Sequence, residues 1–191
     1  MAGDARCPWC GEDEIYVQYH DHEWGVPEWD GRALWEKLIL DGFQAGLSWI
    51  TILKKRNAFR AAFAGFDPVK IASWGEDDVQ RLLQDAGIVR HRGKIEATIK
   101  NAQAYLNIEE REGFSRFLWQ FQQGRVVQNR FASMTEVPTQ TPTSQAMSKA
   151  LKRAGFSFCG PTITYAFMQA TGMVNDHLVT CPSHDRVAQL A

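Results

Sequence analysis

The sequence predicts an all-α fold, and three observations carry that expectation. Strand-like alternation of apolar and polar residues is nearly absent. Apolar residues recur instead at helical spacing through most of the 191 positions. Between those stretches fall the polar, proline and glycine residues that start and stop helices. The length suits one domain, or one domain with a small lobe, with limits at 1–181 and a tail at 182–191 that shows no pattern and is expected to be disordered.

The elements follow in order. Asp30 is placed to cap a helix carrying Leu34, Trp35, Leu38 and Ile39. Ser48 is placed to cap a second, with Ile52, Leu53, Phe59 and Phe63. Asp67-Pro68 pairs a cap with proline at the first helical position, starting a short helix. Val79, Leu82 and Leu83 share a face in a helix over 76–86 that Gly87 ends. Ile95, Ile99, Ala102 and Leu106 mark one long amphipathic helix over 92–111. Residues 114–121 are short and aromatic, and 125–143, with Pro138, Pro142 and several threonines, read as a loop. A helix from Ser144 stops at Gly155, a tight turn follows, and Pro161 opens another helix. Gly160 supplies close backbone approach or positive φ to that hairpin.

Composition excludes several classes. The apolar fraction is ordinary and the formal charge is −1, which excludes global disorder. Four cysteines do not make a disulfide scaffold, no signal peptide begins the chain, and no apolar run reaches membrane length. A cytoplasmic protein is the default. The balanced charge does not advertise nucleic acid, but Lys54-Lys55-Arg56, Arg90 to Lys94, and Lys149, Lys152 and Arg153 form local basic clusters. On composition alone, solvated helix ends, where cations suit the macrodipole, are the better reading of such clusters. Seven Trp and eleven Phe are many for this length; some belong to the core, and an excess of Trp and Tyr can also line a pocket for a flat ligand.

The chain ends hold residues with metal chemistry. Cys7 and His20 lie near the start, His177 and Cys181 near the finish. Two thiolates and two imidazoles complete a closed tetrahedral zinc set. His177 and Cys181, four apart, share a face if their segment is helical. Buried small hydrophobes and satisfied polar residues fit the same positions, and spacing alone does not choose. Cys7-Pro8-Trp9-Cys10 is also a C-x-x-C, compatible with a redox dithiol or half a zinc knuckle. The downstream helical pattern argues against the redox form.

Four blocks then stand in order: Tyr19 to Pro27, Gly42 to Trp49, Asp85 to Ile95, and the hairpin with Val174-Asn175-Asp176-His177. Together they resemble the bacterial 3-methyladenine DNA glycosylase I family, within the helix-hairpin-helix glycosylases, over residues 6–181. The resemblance implies a helical glycosylase fold with a zinc clip joining the terminal segments. It implies a monofunctional enzyme, acting as a monomer on double-stranded alkylated DNA, that excises N3-methyladenine as the first step of base-excision repair. One structural zinc on Cys7, His20, His177 and Cys181 is implied, with Cys10, Cys159, His22 and His184 outside the set.

The base must be flipped from the duplex to be reached. By the resemblance, Tyr19 and Trp49 wall its pocket, and Trp9, Tyr16 and Trp24 shape it. Gln44 and Leu47 fill the gap left in the stack, Gly46 lets backbone approach the sugar, and Gly160 belongs to the phosphate-binding hairpin. Asp41 stands where the family has Glu, the carboxylate that accepts from the amine edge of adenine; the shorter side chain leaves selectivity open. Asp176 is not assigned as a general base and is equally placed to orient His177. A damaged-DNA binding module without excision is the alternative reading.

Overall fold

The computed structural model describes residues 6–190. Residues 1–5 and 191, the outer ends of the expected ranges 1–181 and 182–191, lie outside the described ones. The helices are α1 (Glu14–His22), α2 (Gly31–Gln44), α3 (Trp49–Ala62), α4 (Pro68–Ala72), α5 (Glu76–Leu83), α6 (Arg92–Arg111), α7 (Phe114–Trp119), α8 (Pro142–Arg153), α9 (Pro161–Ala170) and α10 (Pro182–Ala188). Two two-residue strands, β1 (Val127–Gln128) and β2 (Val174–Asn175), pair in parallel. The helical expectation therefore holds, with that small ladder as the exception.

The local reasons are those of the sequence, with five corrections. Asp30 accepts from Ala33 N–H, and Asp67 accepts from Val69 and Lys70 N–H, so both of these caps form as expected. Ser48 stands at the N-cap of α3 without a side-chain cap, because its hydroxyl pairs with that of Thr51 at 2.8 Å instead of a backbone N–H. Helix α5 ends at Leu83, not at Gly87. Gly87 serves a turn instead: Asp85 Oδ1 accepts its N–H, and a Cβ there would lie 2.9 Å from that oxygen. Helix α8 begins at Pro142, because Thr141 and Ser144 cap one another's backbone and Pro is pre-set for the first turn. Gly160 has φ −62°; the left-handed residues of the hairpin are Gly155 and Phe158. The final correction concerns residues 182–188, which form α10 with Val187 and His184 buried. Pro182 starts it, and His184 Nε2 lies 2.9 Å from Asn129 O, tying the segment down.

Helix α2 organises the fold. It packs on α3, α6, α7 and α9. Leu34, Trp35, Leu38, Ile39, Leu40 and Phe43 are buried along it, each worth roughly 1.5–3 kcal/mol of transfer free energy as an upper estimate. A helix covered on so many sides carries its polar residues inward too. Asp41 is 3% exposed for that reason. No described helix is long and apolar enough to cross a membrane.

Candidate functional site

The C-terminal half of α2, the start of α3 and helix α1 enclose a cavity of about 270 Å³. Trp9, Tyr16, Tyr19, Trp24 and Trp49 line it, together with Lys37, Asp41, Gln44 and Asp176. The structure therefore brings five of the aromatic candidates and Asp41 to one place. The volume lies just below the range of about 300–1,000 Å³ for drug-sized ligands, the scale of a single flat heterocycle. The rings tile rather than stack: Trp9 meets Tyr16 at 5.1 Å and Trp24 at 4.9 Å between centroids, and Tyr19 meets Trp49 at 5.5 Å. Burial, then the charge of Asp41, pushes the Tyr19 phenol well above its ordinary value, so it stays protonated.

Three polar atoms of this wall have no hydrogen-bond partner among the described residues: Asp41 Oδ2 and the indole nitrogens Nε1 of Trp9 and Trp49. Orphaned buried groups cost about 1–3 kcal/mol each, so three around one cavity mark a place built for a ligand. One is a carboxylate acceptor and two are N–H donors. The other oxygen of Asp41 accepts from Lys37 Nζ one helical turn earlier. Burial pushes the Asp41 carboxyl up, and Lys37 pulls it back toward ionisation.

Gln44, Gly46 and Leu47 form the turn between α2 and α3. Gln44 Nε2 donates to Leu47 O, Gly46 has φ +82° with open space where a Cβ would stand, and Leu47 is 40% exposed. Lys94 supports this turn from beneath. Its Nζ donates to Phe43 O at 2.8 Å and Ala45 O at 2.6 Å, satisfying carbonyls at the end of α2. That corrects the reading of Arg90 to Lys94 as a solvated basic run, since Lys94 is only 7% exposed. Lys37 and Lys94 are the residues that sequence reasoning missed. The i,i+4 spacing of Lys37 to Asp41 was a usable signal; the inward turn of Lys94 had none.

The second cluster joins the chain ends. The ligand atoms of Cys7, His20, His177 and Cys181 all lie within 4.8 Å of one another, and all four residues are buried. Cys7 Sγ is 3.6 Å from His177 Nδ1, and Cys181 Sγ is 3.6 Å from His20 Nε2 and 3.8 Å from His177 Nδ1. A tetrahedron with zinc–sulfur and zinc–nitrogen distances of about 2.3 and 2.1 Å has edges of roughly 3.4–3.8 Å. The donor set and spacing therefore fit such a metal. The outer nitrogens are held as metal imidazoles require: His20 Nδ1 by Asp21 Oδ1 at 2.7 Å and His177 Nε2 by Trp24 O at 3.0 Å. Cys181 is driven toward the thiolate by the hydrogen bond from Cys7 and then, against desolvation, by both imidazoles.

Two expectations at this cluster are corrected. The segment 177–181 is a turn, closed by Cys181 N–H to Leu178 O, so His177 and Cys181 meet without a helix. Asp176 does not orient His177. Its Oδ1 accepts from Asn129, and its Oδ2 accepts from Tyr165 and Gln169. Cys10, buried, points its thiol at Gly11 O and stays outside the cluster, as do Cys159, His22 and His184. At the hairpin, Cys159 O accepts from Ser148 and Thr164 hydroxyls, which fixes the turn and leaves the space beside Gly160 open. Lys149, Lys152 and Arg153 lie beside Pro161 on that face.

Residues 9–184 match a family described as methyladenine glycosylase. The chain is 55% identical over 177 residues to DNA-3-methyladenine glycosylase 1 of Escherichia coli strain K12, covering 92% of this chain and 95% of that one. A crystal structure of a 3-methyladenine DNA glycosylase I superposes with a TM-score of 0.93 at 54% identity, covering 94% and 100%. The Staphylococcus aureus 3-methyladenine DNA glycosylase I, solved to explain its recognition of 3-methyladenine, superposes with a TM-score of 0.91 at 41% identity, covering 93% and 95%.

Proposed function

This chain belongs to the methyladenine glycosylase family and is a hydrolase of the N-glycosidic bond, and we propose that it excises 3-methyladenine from alkylated double-stranded DNA with the aromatic cavity around Asp41. The observation that carries the reading is the buried, unpartnered Oδ2 of Asp41, a residue that lines that cavity. An ionised carboxylate oxygen only accepts, so it selects a base edge that donates, as the exocyclic amine of adenine does.

The neighbouring residues supply the rest. A flipped base stacks on Trp49 and Tyr19, and a cationic alkylated base gains a cation–π term there. The half-exposed Leu47, with Gln44, enters the duplex where the base has left. The basic face beside Gly160 takes backbone phosphate. The bond from C1′ to the base nitrogen breaks with its electron pair leaving on the base, which neutralises the cation. Water adds to C1′ and loses a proton, leaving an abasic site. Because a cationic purine already leaves readily, orientation and stabilisation of the departing base supply the catalysis. Asp176 is not assigned to water, since Asn129, Tyr165 and Gln169 use its oxygens. Cys7, His20, His177 and Cys181 would hold one zinc, which supplies rigidity between the terminal segments rather than chemistry at the base.

Calorimetric titration with free 3-methyladenine tests the reading. Asp41→Asn places a donor or a weaker acceptor against the amine and is expected to weaken binding about 10- to 100-fold. Equal affinity in both proteins would remove Asp41 from base recognition.

A further inference from the structure

We propose that Lys37 is a specificity-determining positioning residue: by pinning one oxygen of Asp41 it keeps the carboxylate a pure acceptor, and so sets the preference for an amine over a carbonyl on the bound purine. The inference rests on the glycosylase reading of the cavity and extends it to a residue that reading does not use.

The geometry is specific. Lys37 and Asp41 are one turn apart on α2, and both line the cavity. Lys37 Nζ donates to Oδ1 of Asp41, which leaves Oδ2 as the single unpartnered carboxylate oxygen. The ammonium also stands 3.9 Å from the centroid of the Trp49 ring, so one face of that indole is already covered by a cation. Lys37 is therefore fixed by two partners and forms part of the wall that separates the base cavity from a second cavity of about 300 Å³ beyond Tyr19 and Trp49.

The surrounding charges leave Lys37 alone in this role. From α1, Tyr16 and Tyr19 face the cavity as phenols raised by burial. From α3, Arg56 is engaged with Glu23, at 2.9 Å between Nη2 and Oε1. Asp176 faces the cavity with both oxygens accepting from other side chains. Among the described residues no other cation contacts Asp41.

The chemistry follows from donor counting. An ionised Asp41 offers only lone pairs, which suits the 6-amino group of adenine and repels the 6-carbonyl of guanine. A protonated Asp41 carries an O–H and accepts or donates, so it tolerates either group. Burial alone favours the protonated form, and Lys37 opposes it. Removing Lys37 therefore converts a strict acceptor into an ambivalent one over the pH range in which Asp41 becomes protonated.

The test is the ratio of free 3-methyladenine to 3-methylguanine affinity, measured against pH for wild type, Lys37→Met and Lys37→Arg. Wild type is expected to hold a constant preference from about pH 6 to 9, since Lys37 Nζ on Oδ1 opposes protonation of the carboxylate. Lys37→Met is expected to lose about tenfold or more of that preference at the acid end and to regain it toward the alkaline end. Lys37→Arg keeps a cation beside Asp41 and is expected to keep a flat profile. A Lys37→Met ratio equal to wild type at every pH would overturn the proposal. So would a pH-independent loss shared by both variants, which would mark Lys37 as a packing residue only. If wild type itself binds neither base, the glycosylase reading of the cavity has failed, and that result is separate from any difference among the three proteins.

Discussion

The imidazole of His177 donates from Nε2 to the carbonyl oxygen of Trp24 at 3.0 Å, and the two rings meet edge to face at 4.7 Å. One residue of the metal-fitting cluster thus holds one wall of the aromatic cavity. Gly25 allows the contact: its φ is +83°, and a Cβ there would lie 3.2 Å from the His177 ring. The clip between the chain ends and the base site are mechanically one unit.

The first prediction uses that link. The purified protein is expected to carry about one zinc per chain by elemental analysis. His177→Ala, or chelation, removes it and costs several kcal/mol, at roughly 2–4 °C of Tm per kcal/mol for a chain of this size. Affinity for free 3-methyladenine is expected to fall with it, because Trp24 loses its anchor. A metal-free protein with unchanged Tm and unchanged affinity would refute both parts.

Lys94 separates the wedge from the pocket. Lys94→Met removes the donors to Phe43 O and Ala45 O. The turn bearing Gln44 and Leu47 then loosens, while the aromatic wall stays in place. Base release from duplex DNA is expected to fall about 10- to 100-fold, with free-base affinity within about twofold of wild type. Parallel losses in both assays would show that Lys94 supports the whole site rather than its turn.

Much of the site was legible because it rests on local chemistry. Tyr19, Asp41, Gln44 and Trp49 sit in contiguous blocks, and helix geometry brings them to one cavity. Cys7, His20, His177 and Cys181 were legible from donor type, but not from spacing, since a turn and not a helix joins the last two. What the sequence hid depends on burial. Lys94 read as part of an exposed basic run, yet tertiary packing turned it under α2. Asp176 read as a neighbour of His177, yet its side chain leaves the other way, toward Tyr165 and Gln169. Residues 182–188 read as patternless because a seven-residue helix shows little periodicity, and its stability comes from contacts such as His184 to Asn129.

The Lys37–Asp41 pair gives stability a pH dependence of defined sign. In Lys37→Met, burial holds the folded pKa of Asp41 above its unfolded value with no cation to pull it back. The contribution of that carboxyl to stability is then present below the unfolded value of about 3.9 and is lost as pH rises through the raised folded value. Tm of Lys37→Met relative to wild type is expected to fall as pH rises from the ordinary carboxylate range toward neutrality, while its adenine preference rises. A Tm difference that does not vary with pH would mean that Asp41 stays ionised without Lys37.

The most direct test of the account is the release of free base from methylated duplex DNA, separated by chromatography and identified by mass. Wild type is expected to release 3-methyladenine in preference to 7-methylguanine, and Asp41→Asn to lose most of that activity while remaining folded. Absence of 3-methyladenine release by folded, zinc-loaded wild type, or undiminished release by Asp41→Asn, would contradict the central claim that the unpartnered oxygen of Asp41 selects the base.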